Sequence, residues 1–107
     1  MIGQYSHFML ESKIEKKLVS LVRKSGGECL KFVSPGNAGV PDRIVMMPYG
    51  KIHFVELKAP GEKPRALQIA VHDRFKRLGF PVTVIDSMEG VEAFARRLDE
   101  EQHSYGV

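Results

Sequence analysis

Three charged residues, Asp42, Glu56 and Lys58, stand within apolar sequence, where a charged side chain is costly unless something compensates it. The usual compensation is an ion pair with another side chain or a bound cation. Carboxylates offer only oxygen ligands, and oxygen ligands suit a hard ion such as Mg²⁺ or Mn²⁺ far better than zinc. These residue types therefore indicate a metal-assisted site, provided that the fold brings them together.

A β-hairpin is the element that would bring them together. Two apolar, β-branched segments, 44–47 and 52–55, flank a Pro-Tyr-Gly-Lys turn signal. Asp42 then stands at the start of the first strand and Glu56 near the end of the second, which is the same edge of an antiparallel pair. Side chains two apart on a strand share a face, so Glu56 and Lys58 are expected to project together.

With these residues the chain resembles the virus-type replication-repair nuclease (VRR-NUC) family of the PD-(D/E)XK nuclease superfamily. The matching motif residues are Pro41-Asp42 and Glu56-Leu57-Lys58, with thirteen residues between the aspartate and the glutamate. Ser34-Pro35-Gly36 before them and Leu67-Gln68 after them support the match. The resemblance spans roughly residues 11–86, which is nearly the whole chain.

The resemblance implies a Mg²⁺- or Mn²⁺-dependent endodeoxyribonuclease. Asp42, Glu56 and the main-chain carbonyl of Leu57 would be the metal ligands. Lys58 would position the attacking water, stabilise the developing oxyanion or act as the base, and the sequence leaves these roles open. Gln68, in the first turns of a helix, would fold back toward the strand end and hold a water or a phosphate oxygen, unless it is an ordinary exposed glutamine.

The first helix is expected to contribute a further carboxylate. Its helical spacing of apolar residues begins at Leu10, and a Ser-Gly-Gly sequence stops it. Glu11 and Glu15 are four residues apart and border the apolar stripe. The resemblance implies that a glutamate of this helix assists the metal site, and Glu15 fits best, with Glu11 as the alternative. Both could instead lie on a solvated face among the neighbouring lysines.

The distribution of charge favours a polyanionic partner. Residues 1–85 hold fourteen Lys and Arg against seven Asp and Glu, whereas residues 86–107 hold two against six. A basic body suits nucleic acid, whose affinity comes largely from phosphate contacts, although a soluble basic domain has the same composition. The residues expected to contact DNA are Lys31, Arg43, Arg65, Arg74 and Arg77. Arg43 could equally be a salt-bridge partner.

The order of elements predicts an α/β fold. A helix from Leu10 is followed by strands near 28–33, 44–47 and 52–55, a helix over 65–78, a strand over 81–85 and a helix over 88–98. This gives a mixed sheet flanked by helices, with a parallel crossover through the second helix. It matches the αβββαβ, restriction-endonuclease-like core that the resemblance implies. We expect a single domain over 1–107, with residues 1–9 an N-terminal arm and residues 100–107 a frayed tail.

Several function classes are disfavoured by composition. The single cysteine, Cys29, excludes an internal disulfide and is expected to be a buried strand residue. No apolar run approaches the roughly 20 residues of a membrane span, and the N-terminus lacks the features of a signal peptide. We therefore expect no membrane partner and a cytoplasmic location, in a bacterium or a phage-infected host cell. His53 points away from Glu56 by strand parity and is interpreted as structural.

Compact members of the resembled family imply a phage or bacterial enzyme that acts on branched DNA. A four-way (Holliday) junction requires paired cuts related by a twofold axis, so a homodimer is expected. Apolar residues near the N-terminus could supply part of the contact or pack on the parent domain: Ile2, Tyr5, Phe8 and Met9. Two rival functions remain at this level. They are a non-catalytic nucleic-acid-binding module, with Glu56 and Lys58 as a structural ion pair, and a metal-independent module that binds an acidic partner.

Overall fold

The structure is a computed structural model that describes residues 6–105, apart from the side chain of His7. Helices and strands follow one another in the predicted order. They are α1 (His7–Lys24), β1 (Glu28–Lys31), β2 (Arg43–Met47), β3 (Lys51–Leu57), α2 (Ala66–Arg77), β4 (Val82–Ile85) and α3 (Met88–His103). None of the helices within this described part is long and apolar enough to cross a membrane.

The four strands form one mixed sheet in the order β1-β2-β3-β4. The β1–β2 and β2–β3 pairs are antiparallel, and β4 joins β3 in parallel after the α2 crossover. A short 3-10 turn over Pro48–Gly50 closes the hairpin, with Tyr49 at a φ of 66°. The predicted hairpin, the predicted crossover and the α/β class are thus confirmed.

One face of the sheet carries the hydrophobic core. Alternate strand residues point toward α1 and α3, as the period of two requires for a sheet with a covered face. Cys29 is among them, as predicted, and burial raises the pKa of its thiol. The strands and the two helices contribute these buried residues: Cys29, Val45, Met47, Val55, Leu57, Ile85, Ile14, Leu18, Val22, Val91, Phe94 and Leu98.

The opposite face is covered by α2 near β4. Val71 is the buried apolar residue of this helix, and Phe75 packs edge to face on Phe54 with ring centroids 5.1 Å apart. The apolar side of α2 is only partly buried, and much of the helix is exposed to solvent. Three of its apolar residues are exposed: Leu67, Ile69 and Leu78.

Helix α1 begins earlier than expected. The expectation of an arm over residues 1–9 was wrong for its last three residues, since α1 already begins at His7. Ser6 caps the helix, its side-chain oxygen accepting a hydrogen bond from Met9 N at 3.2 Å, which satisfies one of the free N–H groups of the first turn. Ile2 and Tyr5, offered as dimer contacts, lie outside the described residues.

The expected frayed tail over 100–107 was also wrong for its first part, because α3 continues to His103. Two contacts with the hairpin turn support these last helical residues. Gln102 Nε2 donates to the carbonyl oxygen of Pro48 at 3.1 Å, and Tyr105 stacks on Tyr49 with ring centroids 4.5 Å apart. Residues 106–107 lie outside the described part.

Candidate active site

Asp42 is fixed between two neighbouring strands. The residue after it, Arg43, pairs with Val55, so Asp42 stands beside the end of β3. Asp42 Oδ2 accepts a hydrogen bond from Leu57 N at 2.8 Å, and its carbonyl oxygen accepts from Phe32 N at 2.9 Å. Burial raises the pKa of the Asp42 carboxyl, and the bond from Leu57 N opposes that rise. The carboxylate is therefore held in place, as the hairpin interpretation predicted.

Glu56 is a charged residue that the fold buries, with a side chain only 1% exposed. Its Oε2 accepts a hydrogen bond from Gln68 Nε2 at 2.8 Å and lies 3.3 Å from Lys58 Nζ. Burial and the neighbouring charge of Asp42 raise the pKa of Glu56 to about 7. Its other oxygen, Oε1, has no hydrogen-bond partner within residues 6–105. A carboxyl with this pKa is poised between its two charge states near neutrality.

Lys58 and Gln68 complete a small polar network at the end of β3. Lys58 Nζ donates to Gln68 Oε1 at 2.9 Å, and the same oxygen accepts from Arg65 N at 2.9 Å. Two donors contact this oxygen, so the amide nitrogen of Gln68 must face the carboxylate of Glu56. The hydrogen-bond partners therefore fix which way the amide is oriented. Lys58 and Glu56 thus share one face, and Gln68 folds back toward the strand, as the spacing predicted.

The two glutamates of α1 differ in their partners. Glu15 Oε2 accepts from Arg43 Nε at 2.9 Å, and Arg43 also donates to the carbonyl oxygen of Cys29 at 3.1 Å. Of the two roles left open for Arg43, the structure gives it that of a salt-bridge partner. Burial raises the pKa of Glu11, with Asp42 as the next cause. Both glutamates therefore lie at the site, but the charge of Glu15 is already compensated.

A groove of about 330 Å³ extends from Asp42 along the junction of α1 and β1. Lys31 lines this groove and is exposed. Its ammonium could therefore reach a phosphate that enters the groove. Three arginines expected to contact DNA are exposed at the start of α2 and on its last turns: Arg65, Arg74 and Arg77.

His53 lies on the other side of the sheet, where its ring meets Phe94 edge to face and its Nε2 lies 2.9 Å from Glu101 Oε1.

His72 belongs to the site and was missed by the sequence interpretation. Its Nε2 lies 3.7 Å from Glu56 Oε1, and its side chain is 11% exposed. Burial, and then the charge of Lys58, lower the pKa of the His72 imidazole. The available signal was its position four residues after Gln68, because residues four apart lie on the same face of a helix.

Asp42 and Glu56 are the acidic side chains that could hold a metal ion at this edge of the sheet. Within the described residues, no group of three or more His, Cys, Asp and Glu side chains could hold one. Mg²⁺ is commonly bound through one or two carboxylates, with water and substrate oxygens completing its shell. The residues present fit this pattern, because Asp42 stands beside Glu56 and the buried Oε1 of Glu56 has no donor within hydrogen-bonding distance in the described part of the chain.

Fold and site together define a class: an α/β domain whose mixed sheet presents two carboxylates and a lysine at one edge. The model of the VRR-NUC domain family matches residues 3–89. The chain belongs to this family, as the motif residues predicted.

Two relatives agree with this assignment. The protein named "Putative nuclease p44", from Acyrthosiphon pisum secondary endosymbiont phage 1, is 60% identical over 79 residues, which are 74% of this chain and 85% of that protein. A solved structure described as "VRR_NUC domain" is 32% identical, with a TM-score of 0.76, and the match covers 80% of this chain and 94% of the other. Family and relatives together support a nuclease.

Proposed function

We propose that this protein is a divalent-metal-dependent DNA endonuclease that hydrolyses phosphodiester bonds. The observation that carries the proposal is the buried carboxylate of Glu56, which lies beside Asp42 and has one oxygen without a hydrogen-bond donor among residues 6–105. A buried carboxylate is costly to ionise unless a positive charge compensates it. Lys58 supplies part of that compensation from one side, and a bound cation would supply the rest.

Asp42, Glu56 and the carbonyl of Leu57 are the proposed ligands of Mg²⁺ or Mn²⁺. When bound, such an ion polarises a phosphoryl oxygen and makes a water nucleophilic at neutral pH. Asp42 is suited to this role because the hydrogen bond from Leu57 N fixes one of its oxygens. Glu56 is suited because Gln68 and Lys58 hold only one of its oxygens, so the other can turn to a ligand.

Lys58 is proposed to stabilise charge that develops on the phosphate. Its side chain is 12% exposed and its ammonium donates to Gln68 Oε1, so the charge lies at a fixed place beside Glu56. A charge that is positioned before the reaction stabilises a transition state without further reorganisation. Gln68 is proposed as the residue that holds both Lys58 and Glu56, and it could release its contact with Lys58 to a water or a phosphate oxygen.

The DNA is proposed to follow the groove beside Asp42 and the basic side of α2. Lys31, Arg65, Arg74 and Arg77 are exposed and could reach phosphates from these two sides of the site. Arg43 is a weaker candidate, since Glu15 and the Cys29 carbonyl already occupy its guanidinium. Branched DNA and assembly into a homodimer that resolves four-way junctions are the finer parts of the proposal.

A cleavage panel tests the proposal. Purified protein is incubated with single strands, duplexes, flaps, forks and four-way junctions, with Mg²⁺, Mn²⁺ or a chelator. We expect metal-dependent cuts with a preference for junctions, and loss of cleavage in Asp42→Asn and Glu56→Gln, which remove ligand charge with little change of shape. Salt-sensitive DNA binding without any cleavage would instead select the non-catalytic binding module.

Assembly is tested separately. Two subunits related by a twofold axis would place two sites symmetrically on a junction. Light scattering at micromolar concentration is expected to give twice the mass of the 12.0 kDa chain. A monomer mass, together with equal cutting of junction and duplex, would leave a nicking nuclease that acts alone.

A further inference from the structure

His72 and Glu56 approach each other with two atoms that have no hydrogen-bond partner among residues 6–105. Nε2 of His72 lies 3.7 Å from Oε1 of Glu56. Neither atom is accessible to solvent, and neither makes a hydrogen bond within the described part of the chain. Buried polar atoms in folded proteins almost always have a hydrogen-bond partner. Two unpartnered buried atoms this close together therefore indicate a hydrogen bond that forms when the site is active.

The helix spacing explains why the contact falls here. Gln68 and His72 are four residues apart on α2 and so lie on one face, one turn above the other. Gln68 donates to Oε2 of Glu56 at 2.8 Å, which leaves Oε1 as the oxygen nearest His72. The separation of 3.7 Å exceeds a hydrogen bond of about 3 Å. A small rotation of the imidazole or of the carboxylate would close it.

We propose that His72 is a positioning residue that donates its Nε2–H to Glu56 Oε1. With Gln68 on Oε2, both oxygens of the carboxylate would then be held from α2. A carboxylate oxygen has two lone pairs, so Oε1 can accept this bond and still bind a metal ion. The inference rests on the proposed function, because His72 is proposed to orient Glu56, which is itself a proposed metal ligand.

Such a partner affects metal binding more than it affects the fold. A ligand that is held by a second hydrogen bond needs no reordering when the ion binds, and loss of such partners typically weakens metal affinity about 10–100-fold. His72 would therefore act through Glu56, without touching the substrate.

The test compares two variants of His72. His72→Leu removes the donor and keeps an apolar side chain in this largely buried position. His72→Gln retains a donor, because the amide nitrogen of glutamine lies at nearly the same distance along the side chain as Nε2 of histidine. Mn²⁺ binding to each folded protein is measured directly by calorimetric titration, without DNA, and thermal melting in chelator checks the fold.

Matched controls come from the other histidine–glutamate pair. His53 lies 2.9 Å from Glu101 on the opposite face of the sheet, so His53→Leu and His53→Gln repeat the same chemistry away from the site. We expect His72→Leu to bind Mn²⁺ about tenfold more weakly or worse, His72→Gln to stay within about threefold of the parent, and both His53 variants to bind as the parent does.

The outcomes separate the inference from the function on which it rests. Parent-like Mn²⁺ affinity in His72→Leu would overturn the role of His72 and leave the metal site standing. An equal loss of Mn²⁺ affinity in His72→Gln and His72→Leu would also overturn it, because the donor retained in His72→Gln would then not contribute to metal binding. A parent protein that binds no Mn²⁺ would overturn the proposed metal site, and the role of His72 with it.

Discussion

Gln68 Nε2 donates to Glu56 Oε2 at 2.8 Å, so an amide on α2 holds the buried carboxylate of β3. The same amide accepts from Lys58, which lies two residues beyond Glu56. One side chain thus sets the relative position of the Glu56 carboxylate and the Lys58 ammonium. The charge state of Glu56 therefore depends on Lys58 and Gln68 as well as on its burial, and it affects the stability of the fold.

Stability in the absence of metal should fall as the pH rises from about 4.5 to about 7. The pKa of Glu56 is raised to about 7 in the folded protein from 4.5. Between these values the folded state binds more protons than the unfolded state, so the free energy of unfolding decreases with pH. A shift of this size corresponds to about 3 kcal/mol at most. The raised pKa of Asp42 acts in the same direction.

Chemical denaturation in the presence of chelator, between pH 4.5 and 8, measures how the free energy of unfolding changes with pH. Glu56→Gln should flatten this dependence, because an amide does not titrate. Mg²⁺ at pH 8 should raise the stability of the parent, by about 2.7 kcal/mol at a concentration 100 times its Kd, and should not raise that of Glu56→Gln. A parent whose stability increases steadily over this range would contradict the raised pKa of Glu56.

Lys58→Ala should lower kcat about 10²–10³-fold while metal binding and DNA binding stay near those of the parent. The reason is that a charge which acts on the transition state contributes to the chemical step and not to ground-state affinity. Single-turnover cleavage with saturating protein measures the step. Lys63→Ala, an exposed lysine in the loop before α2, is the control. If the variant instead showed a raised KM and an unchanged kcat, Lys58 would be a phosphate anchor.

The sequence was sufficient for the sheet and for the motif because both follow from local rules. Strand parity put Glu56 and Lys58 on one face, and the hairpin put Asp42 beside them. For His72 the helix spacing put it on the same face as Gln68, but its closeness to Glu56 comes from the packing of α2 against β3, which strand parity does not predict. The exposure of Leu67 and Leu78 likewise depends on where α2 lies on the sheet, which helical periodicity does not specify.

The two glutamates of α1 should respond differently to neutralisation. Glu15→Gln should lower stability by about 1–3 kcal/mol, because it leaves the largely buried guanidinium of Arg43 without its ion-pair partner. Glu11→Gln should leave stability nearly unchanged and reduce cleavage at least tenfold, because its charge faces Asp42 and Lys58. Melting curves and cleavage rates of both variants, with exposed Glu89→Gln as control, make the comparison. A large loss of cleavage in a stable Glu15→Gln would restore Glu15 as the assisting carboxylate.

Arg74 and Arg77 should contribute to DNA affinity without sequence preference. Both are exposed on the last turns of α2, where their charges can meet phosphates across the surface beside the site. Each charge removed, in Arg74→Gln and Arg77→Gln, should reduce the slope of log affinity against log salt concentration by about 1, equally for unrelated sequences. Fluorescence anisotropy with the cleavage-deficient Glu56→Gln background measures binding alone. Arg97→Gln is the control, because that guanidinium lies over the Phe94 ring on the other side of the sheet. An unchanged slope in both α2 variants would move the DNA path away from this helix.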